Sequence, residues 1–302
     1  VPEIVRAGGE TVALRCPNHP MTLELLKKAK LPLAAPSANP SGAESPKTAQ
    51  EVMDYFEGSI AAVIDGGRCG IGTESTIIDM SGAPYKILRR GALPEASIRS
   101  SLADRLTVIG ITGGTGCGKT TALRQLEKKG AMIIDCDALY HEMLGINAEM
   151  LGEIDRVFPE TVTDGKLDRK ALGAVVFSNE AALEDLNAIT HHYIGLEVRR
   201  LLEDWAMQGG TLAAIDAIAL IESGLAGRCR AVVGVVADKT TRIERIMKRD
   251  GISREYAMMR VNAQYPNEYF EANCKYILRN DGSEKDFEKE CNKLFKEVLK
   301  NG

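Results

Sequence analysis

The chain lacks the usual signatures of a disulfide scaffold, a zinc site or a membrane span. Its seven cysteines (Cys16, Cys69, Cys117, Cys136, Cys229, Cys274 and Cys291) are scattered, odd in number and form no C-x-x-C pair. Free thiols in a reducing cytoplasm are therefore expected. Histidine is scarce: His19, His141, His191 and His192 are the full set, and none is spaced from a cysteine pair as a zinc site requires. No run of 18 apolar residues occurs. The most apolar stretch, 211–225, is interrupted by Asp216 and Glu222, which argues against a spanning helix and against a membrane partner. No signal peptide is read ahead of the first domain. Aromatic residues make up only 5%, and there is no basic excess: 38 Lys and Arg face 42 Asp and Glu, a net charge of -4. No direct nucleic-acid partner is expected from such a balance.

What remains is an ordinary globular composition, 44% hydrophobic and 26% charged over 302 residues, a length that suits two domains. The two parts differ in grammar. Residues 1–93 are rich in Pro, Gly and Ser and carry short strand-like runs at 11–14, 61–64, 76–79 and 86–88, with helices expected at 21–30 and 48–57. Residues 94–105, PEASIRSSLADR, are polar without a strand pattern and read as a linker. From 106 to 302 the pattern becomes strand, Gly-rich loop, helix, strand: LTVIGIT, then TTALRQLEKKG, then AMIID, with LAAIDA and AVVGVVA as later buried strands. One or two amphipathic helices are expected over 182–205. Strands alternating with helices imply an α/β fold with a parallel sheet covered on both faces.

Between the first of these strands and its helix stands Gly113-Gly114-Thr115-Gly116-Cys117-Gly118-Lys119-Thr120, a full match to G-x-x-x-x-G-K-[ST]. Glycines let the backbone curl so that successive N–H groups face phosphate oxygens, and the helix N-terminus adds positive charge. Lys119 is placed to reach the β- and γ-phosphates, and the Thr120 hydroxyl to ligate Mg²⁺. The alternative is a plain Gly-rich turn. The next strand ends in Asp135-Cys136-Asp137, where strand C-termini face the ligand crevice. Either carboxylate could orient or deprotonate an acceptor hydroxyl; equally, Asp135 could cap the following helix. Arg242, Arg245 and Arg249 are spaced i, i+3 and i+7, one helix face suited to phosphates or simply solvated beside Glu244. Asp250-Gly251 and Ser253-x-Glu255 bound this helix pair as a mobile lid would need.

The motifs GGTGCGKTT, IDCDALYHE, DGKLDRKALGAVVF, LNAITHHYI, DAIALIES, RIERIMKRDG, Arg260-x-x-x-Gln264 and RNDGS occur in order over 108–301. In this the segment resembles the dephospho-coenzyme A kinases, which transfer the γ-phosphoryl group of ATP to the ribose 3′-hydroxyl of dephospho-CoA. The resemblance implies a P-loop kinase fold with a parallel sheet and helical substrate and lid regions. It implies ATP at Thr115, Gly116, Cys117, Gly118, Lys119 and Thr120, with Asn280 near the adenine. Asp137, Arg169 and His191 would then line the dephospho-CoA side, Asp137 as base or orienter, and Arg245 and Arg249 would be lid arginines over the phosphates. The chain departs from the family pattern at His192, where Pro is usual, in Asp216-Ala217-Ile218-Ala219-Leu220, which lacks a Pro, and at Arg242, where Gln is frequent.

The first part resembles threonylcarbamoyl-AMP synthases of the YrdC/Sua5 type, through ETVALRCPNHP, PLAAPSANPSG, IDGGRCGIGTESTIID and KILRRGAL. That resemblance implies ATP contacts at Ser37, Ser45 and Arg89 and threonine contacts at Arg15 and Ser75. It also implies that the family's N-terminal portion is missing, so that Val1 would be a truncation point and residues 1–93 a partial α/β domain with no synthase activity of its own. Other readings of the second part are a different small-molecule P-loop kinase, for nucleosides or shikimate, and a P-loop NTP-binding regulatory protein. The N-K-x-D of a GTP switch is absent, and LAAIDA could pass for the strand of an ATPase motor.

Overall fold

The computed structural model describes residues 2–300 except Ala7 and Asp164; Val1 and Asp164, which opens the DGKLDR motif, lie outside the described residues. The chain divides into Val1–Glu95 and Ala96–Gly302.

In the first unit, helices α1 (Pro20–Ala29) and α2 (Ala49–Phe56) accompany one antiparallel hairpin, β1 (Ile77–Asp79) with β2 (Lys86–Arg89). His19 caps α1 and the Thr48 side chain caps α2 by accepting from Glu51 N. The runs at 11–14 and 61–64, expected as strands, form none. A strand is completed by hydrogen bonds to a neighbour, and alternation alone supplies no neighbour. No described residue up to Glu95 is buried, and Leu14 is 90% exposed.

Helix α3 (Glu95–Ala103), whose residues from Ala96 on belong to the second unit, occupies the stretch expected to be a linker. Its Ile98 is buried and its Arg99 is 2.7 Å from Asp204. The sequence showed no strand pattern there, but helix propensity was compatible with anchoring through one apolar residue and one ion pair.

Five parallel strands form the central sheet: β3 (Thr107–Thr112), β4 (Met132–Asp135), β7 (Leu212–Asp216), β8 (Ala231–Val236) and β9 (Tyr276–Arg279), in the order β4-β7-β3-β8-β9. A short hairpin, β5 (Val162–Thr163) with β6 (Lys166–Leu167), lies apart from it. The helices are α4 (Lys119–Glu127), α5 (Cys136–Ile146), α6 (Ala148–Val157), α7 (Arg169–Val176), α8 (Glu180–Met207), α9 (Lys239–Asp250), α10 (Arg254–Asn262), α11 (Asn267–Asn273) and α12 (Glu284–Lys300). The region read as one or two helices is a single helix, α8.

Alternation along the strands divides the core in two. Val108, Ile134 and Ile215 pack with Met150, Ile154, Leu186 and Val198 of α6 and α8. Ile109, Ile111, Ala214 and Val233 pack on the other face with Leu126, Cys291 and Phe295 of α4 and α12. This is the doubly covered parallel sheet that strands with near-continuous apolar sequence require. Phe295 has no exposed surface. Phe295→Ala should cost about 3–5 kcal/mol of unfolding free energy, because the void cannot close against a rigid sheet. A denaturant midpoint unchanged from the wild type would contradict this.

Because the chain leaves β3 towards β4 on one side and later reaches β8 on the other, the strand order reverses around β3. The C-terminal end of that strand is the place where such a sheet opens a crevice.

Candidate functional site

The loop between β3 and α4 occupies that crevice. Gly113 (φ 143°) and Gly118 (φ 102°) adopt backbone conformations unfavourable to other residues. A Cβ at either would also collide, with Val235 O at Gly113 and with the Asn280 side chain at Gly118. The loop thus turns in very little space, and α4 starts at Lys119 with its free N–H groups at the loop. Lys119 Nζ donates to Gly113 O at 3.1 Å and lies 3.8 Å from Asp216 Oδ1. Burial pushes the Cys117 thiol up, so the one sulfur in the loop stays protonated.

Three carboxylates collect at the same edge. Asp135 ends β4 and Asp216 ends β7, and the two are register partners. The Asp135 Oδ1 accepts from Asp137 N and Ala138 N, both at 3.0 Å, so Asp135 is the N-cap of α5. Asp137, the second residue of the helix, makes no such capping bond. Burial raises its carboxyl above the usual range, against the lowering pull of Lys119. Burial also raises Asp216, to about 6, again opposed by Lys119. The Asp216 Oδ1 is buried without a hydrogen-bond partner, since 3.8 Å to Lys119 is an ion pair only.

Beside Asp137 lies a cavity of about 200 Å³, lined by Tyr140, Asn187, Thr190, His191 and Ser223 with apolar neighbours. Burial holds the His191 imidazole below its ordinary value, so it is neutral at pH 7. Asp137 and His191 are thus brought to one cavity by α5 and α8.

The three arginines of α9, equivalent by spacing, have three different surroundings. Arg242 is 4% exposed and bonds Thr115 O and Gln264 Oε1. Arg245 donates to Asn280 O at 3.0 Å and Asn280 Oδ1 at 3.2 Å. Arg249, 58% exposed, pairs with Asp250, which also binds Arg260.

A sequence profile described as "Dephospho-CoA kinase" matches residues 107–286. The chain belongs to the dephospho-CoA kinase family. A second profile, of Sua5, YciO and YrdC proteins and described as "Telomere recombination", matches residues 1–91. The dephospho-CoA kinase of Geobacter sulfurreducens is 35% identical over 192 residues, covering 63% of this chain and 98% of that protein. The Thermus thermophilus enzyme is 38% identical over 183 residues, covering 60% and 87%. The crystal structure of TT1252 from Thermus thermophilus superposes with a TM-score of 0.53 at 35% identity, over 64% of this chain and 98% of that one. These relatives place the kinase reading above the regulatory and motor alternatives.

The other residues expected in the kinase site have well-defined surroundings. Asn280 was expected near an adenine. It is buried behind the loop, its Nδ2 donating to Cys117 O at 2.9 Å and its Oδ1 accepting from Arg245, so its amide is committed to loop shape. Arg169 follows the N-cap Asp168 on α7 and lines a surface hollow with Lys170 and Phe177, while its charge acts on Tyr140, which lines the cavity at Asp137. Arg249 is tied to its neighbour Asp250, away from the loop contacts made by Arg242 and Arg245. Thr120 is exposed in the crevice. In the first unit, Arg89 holds Glu74 at 2.7 Å and Ser75 O at 3.0 Å, bringing Ser75 and Arg89 together. Arg15, Ser37 and Ser45 are exposed and share no described hydrogen bond with that pair.

Sequence reasoning undervalued Asp216 and Gln264. The signal for Asp216 was the apolar strand LAAIDA ending in an acid. For Gln264 there was only its place in the Arg260-x-x-x-Gln264 motif.

Proposed function

We propose that residues 106–302 form a kinase that phosphorylates the ribose 3′-hydroxyl of dephospho-CoA with ATP, giving coenzyme A and ADP. The observation that carries this is the cavity shared by Asp137 and His191, with Asp137 within the field of the loop lysine Lys119, in a chain of the dephospho-CoA kinase family. The 3′-oxygen would attack the γ-phosphorus in line, forming the new P–O bond as the bond to the β–γ bridging oxygen breaks. The hydroxyl proton passes to the Asp137 carboxylate, and ADP leaves. Lys119 and the loop amides meet the charge on the transferring group. His191, neutral, can hydrogen-bond the acceptor without adding charge.

The residues present suit a magnesium ion. Thr120 offers an exposed hydroxyl, and Asp216 offers a buried oxygen with no hydrogen-bond donor of its own. These two would hold the ion, which would neutralise phosphate charge when bound. Arg245, anchored on Asn280, stiffens the base of the loop. The α9–α10 pair excludes water when ATP is present, which limits futile hydrolysis. A cytoplasmic location fits the seven unpaired cysteines, and no helix among the described residues is long and apolar enough to cross a membrane.

The reading is tested by incubating the full chain with Mg-ATP and dephospho-CoA and measuring CoA and ADP. Stoichiometric appearance of both is expected, whereas ADP without CoA would reject it. The pH profile gives a second check. Asp137 must be ionised to take the proton, and its carboxyl sits above the usual range. Activity should therefore fall as pH falls through that raised value, at a higher pH than the about 3.9 of an ordinary aspartate. An acid limb that persists unchanged in Asp137→Asn would assign it to another group.

A further inference from the structure

The buried arginine Arg242 is the least expected feature of the phosphate loop. The residue is 4% exposed, yet among the described residues its hydrogen bonds go to neutral acceptors: Nε to Thr115 O at 3.0 Å and Nη2 to Gln264 Oε1 at 2.8 Å. The same Gln264 Oε1 accepts from Thr115 N at 2.8 Å, and Gln264 Nε2 donates to Thr115 Oγ1 at 2.8 Å. Every polar group of Thr115 is therefore engaged by these two side chains. A Cβ on Gly114 would collide with the Arg242 guanidinium, so the loop has a glycine where the arginine presses on it.

A cation buried without an acid is unfavourable unless some anion completes it. Here it sits against the tip of a loop shaped for a polyphosphate. We propose that Arg242 and Gln264 are positioning residues for ATP, locking Thr115 so that the loop is set for phosphates before the nucleotide arrives. Arg242 belongs to α9 and Gln264 follows α10. The root of the helical pair is thereby tied to the loop, while Arg249, Asp250 and Arg260 pair with one another farther along it. A set loop loses less order on binding, which appears as affinity for ATP rather than for the acceptor.

This inference rests on the kinase reading for its second readout only; its first is nucleotide binding itself. Mg-ATP dissociation constants would be measured by calorimetry on the full chain, with KM for dephospho-CoA and kcat alongside. Arg242→Met should weaken Mg-ATP about tenfold, the scale of one charge-assisted hydrogen bond, while KM for dephospho-CoA stays within about twofold. Arg242→Lys keeps the charge but not the fork, and should recover part of the loss. Mg-ATP affinity within twofold of the wild type in folded Arg242→Met would overturn the proposal. So would an equal weakening of both substrates, which marks a general structural role. If Arg242→Met does not fold, Gln264→Leu removes all three of the Gln264 bonds, and unchanged ATP affinity there overturns it too. A wild-type chain that binds ATP in this Arg242-dependent way yet forms no CoA would leave the positioning role standing and remove the kinase reading.

Discussion

Lys119→Ala should lower kcat/KM for CoA formation by about 10³-fold, at the upper end of what removing one preorganised charge-stabilising donor costs. Lys119 lies at the first position of α4, 3.1 Å from Gly113 O, so its ammonium is held at the loop mouth. It is also the cation 3.8 Å from Asp216, whose carboxyl burial already raises to about 6. Without it, the phosphate oxygens lose a positive partner, and Asp216 is pushed further towards its neutral form. The helix should still form, since alanine is the best helix former. The check is CoA production beside a thermal melt. Folded Lys119→Ala with more than a tenth of wild-type activity would show that the lysine does not meet the transferring phosphoryl.

Asp137→Asn is expected to reduce kcat by about 10²–10³-fold, the usual worth of a positioned general base, with KM for ATP little changed. The informative control is Asp135→Asn, two residues away. Asp135 accepts from Asp137 N and Ala138 N as the cap of α5, and asparagine caps a helix about as well as aspartate. That variant should keep most activity. Asp135→Ala should instead lose about 1 kcal/mol of stability through the missing cap. If Asp135→Asn were as inactive as Asp137→Asn, the division between capping and chemistry would be wrong.

The contrast between these two aspartates shows where sequence reading stopped. Both are acids at the end of one apolar strand, and either could begin the helix. Which one caps depends on where the helix starts, at Cys136, and that is set by packing of Cys136, Met143 and Leu144 into the core. The arginines of α9 give the same lesson. Spacing puts Arg242, Arg245 and Arg249 on one face, but a helix crosses its neighbours at an angle. One end of the face is therefore buried on Thr115 and the other reaches solvent beside Asp250. The motif around Asn280 gave no sign that its amide bonds Cys117 O and Arg245. The runs at 11–14 and 61–64 had strand composition and found no partner, while 95–103 was polar and became a helix.

By itself the sequence determined the local and periodic features: the phosphate loop with its glycines, the strand before it and helix after it, the parallel α/β order, and the family. These follow from backbone conformations and apolar spacing that act within a few residues. Only the tertiary structure decided which acid is free, which arginine is buried, and that Asp216 and Gln264 belong to the site. Those depend on contacts between residues far apart in the chain: Thr115 with Gln264, Asp135 with Asp216, and Asn280 with Cys117. A side chain's role is set by burial and by the groups around it, and neither can be read from spacing along one strand or helix.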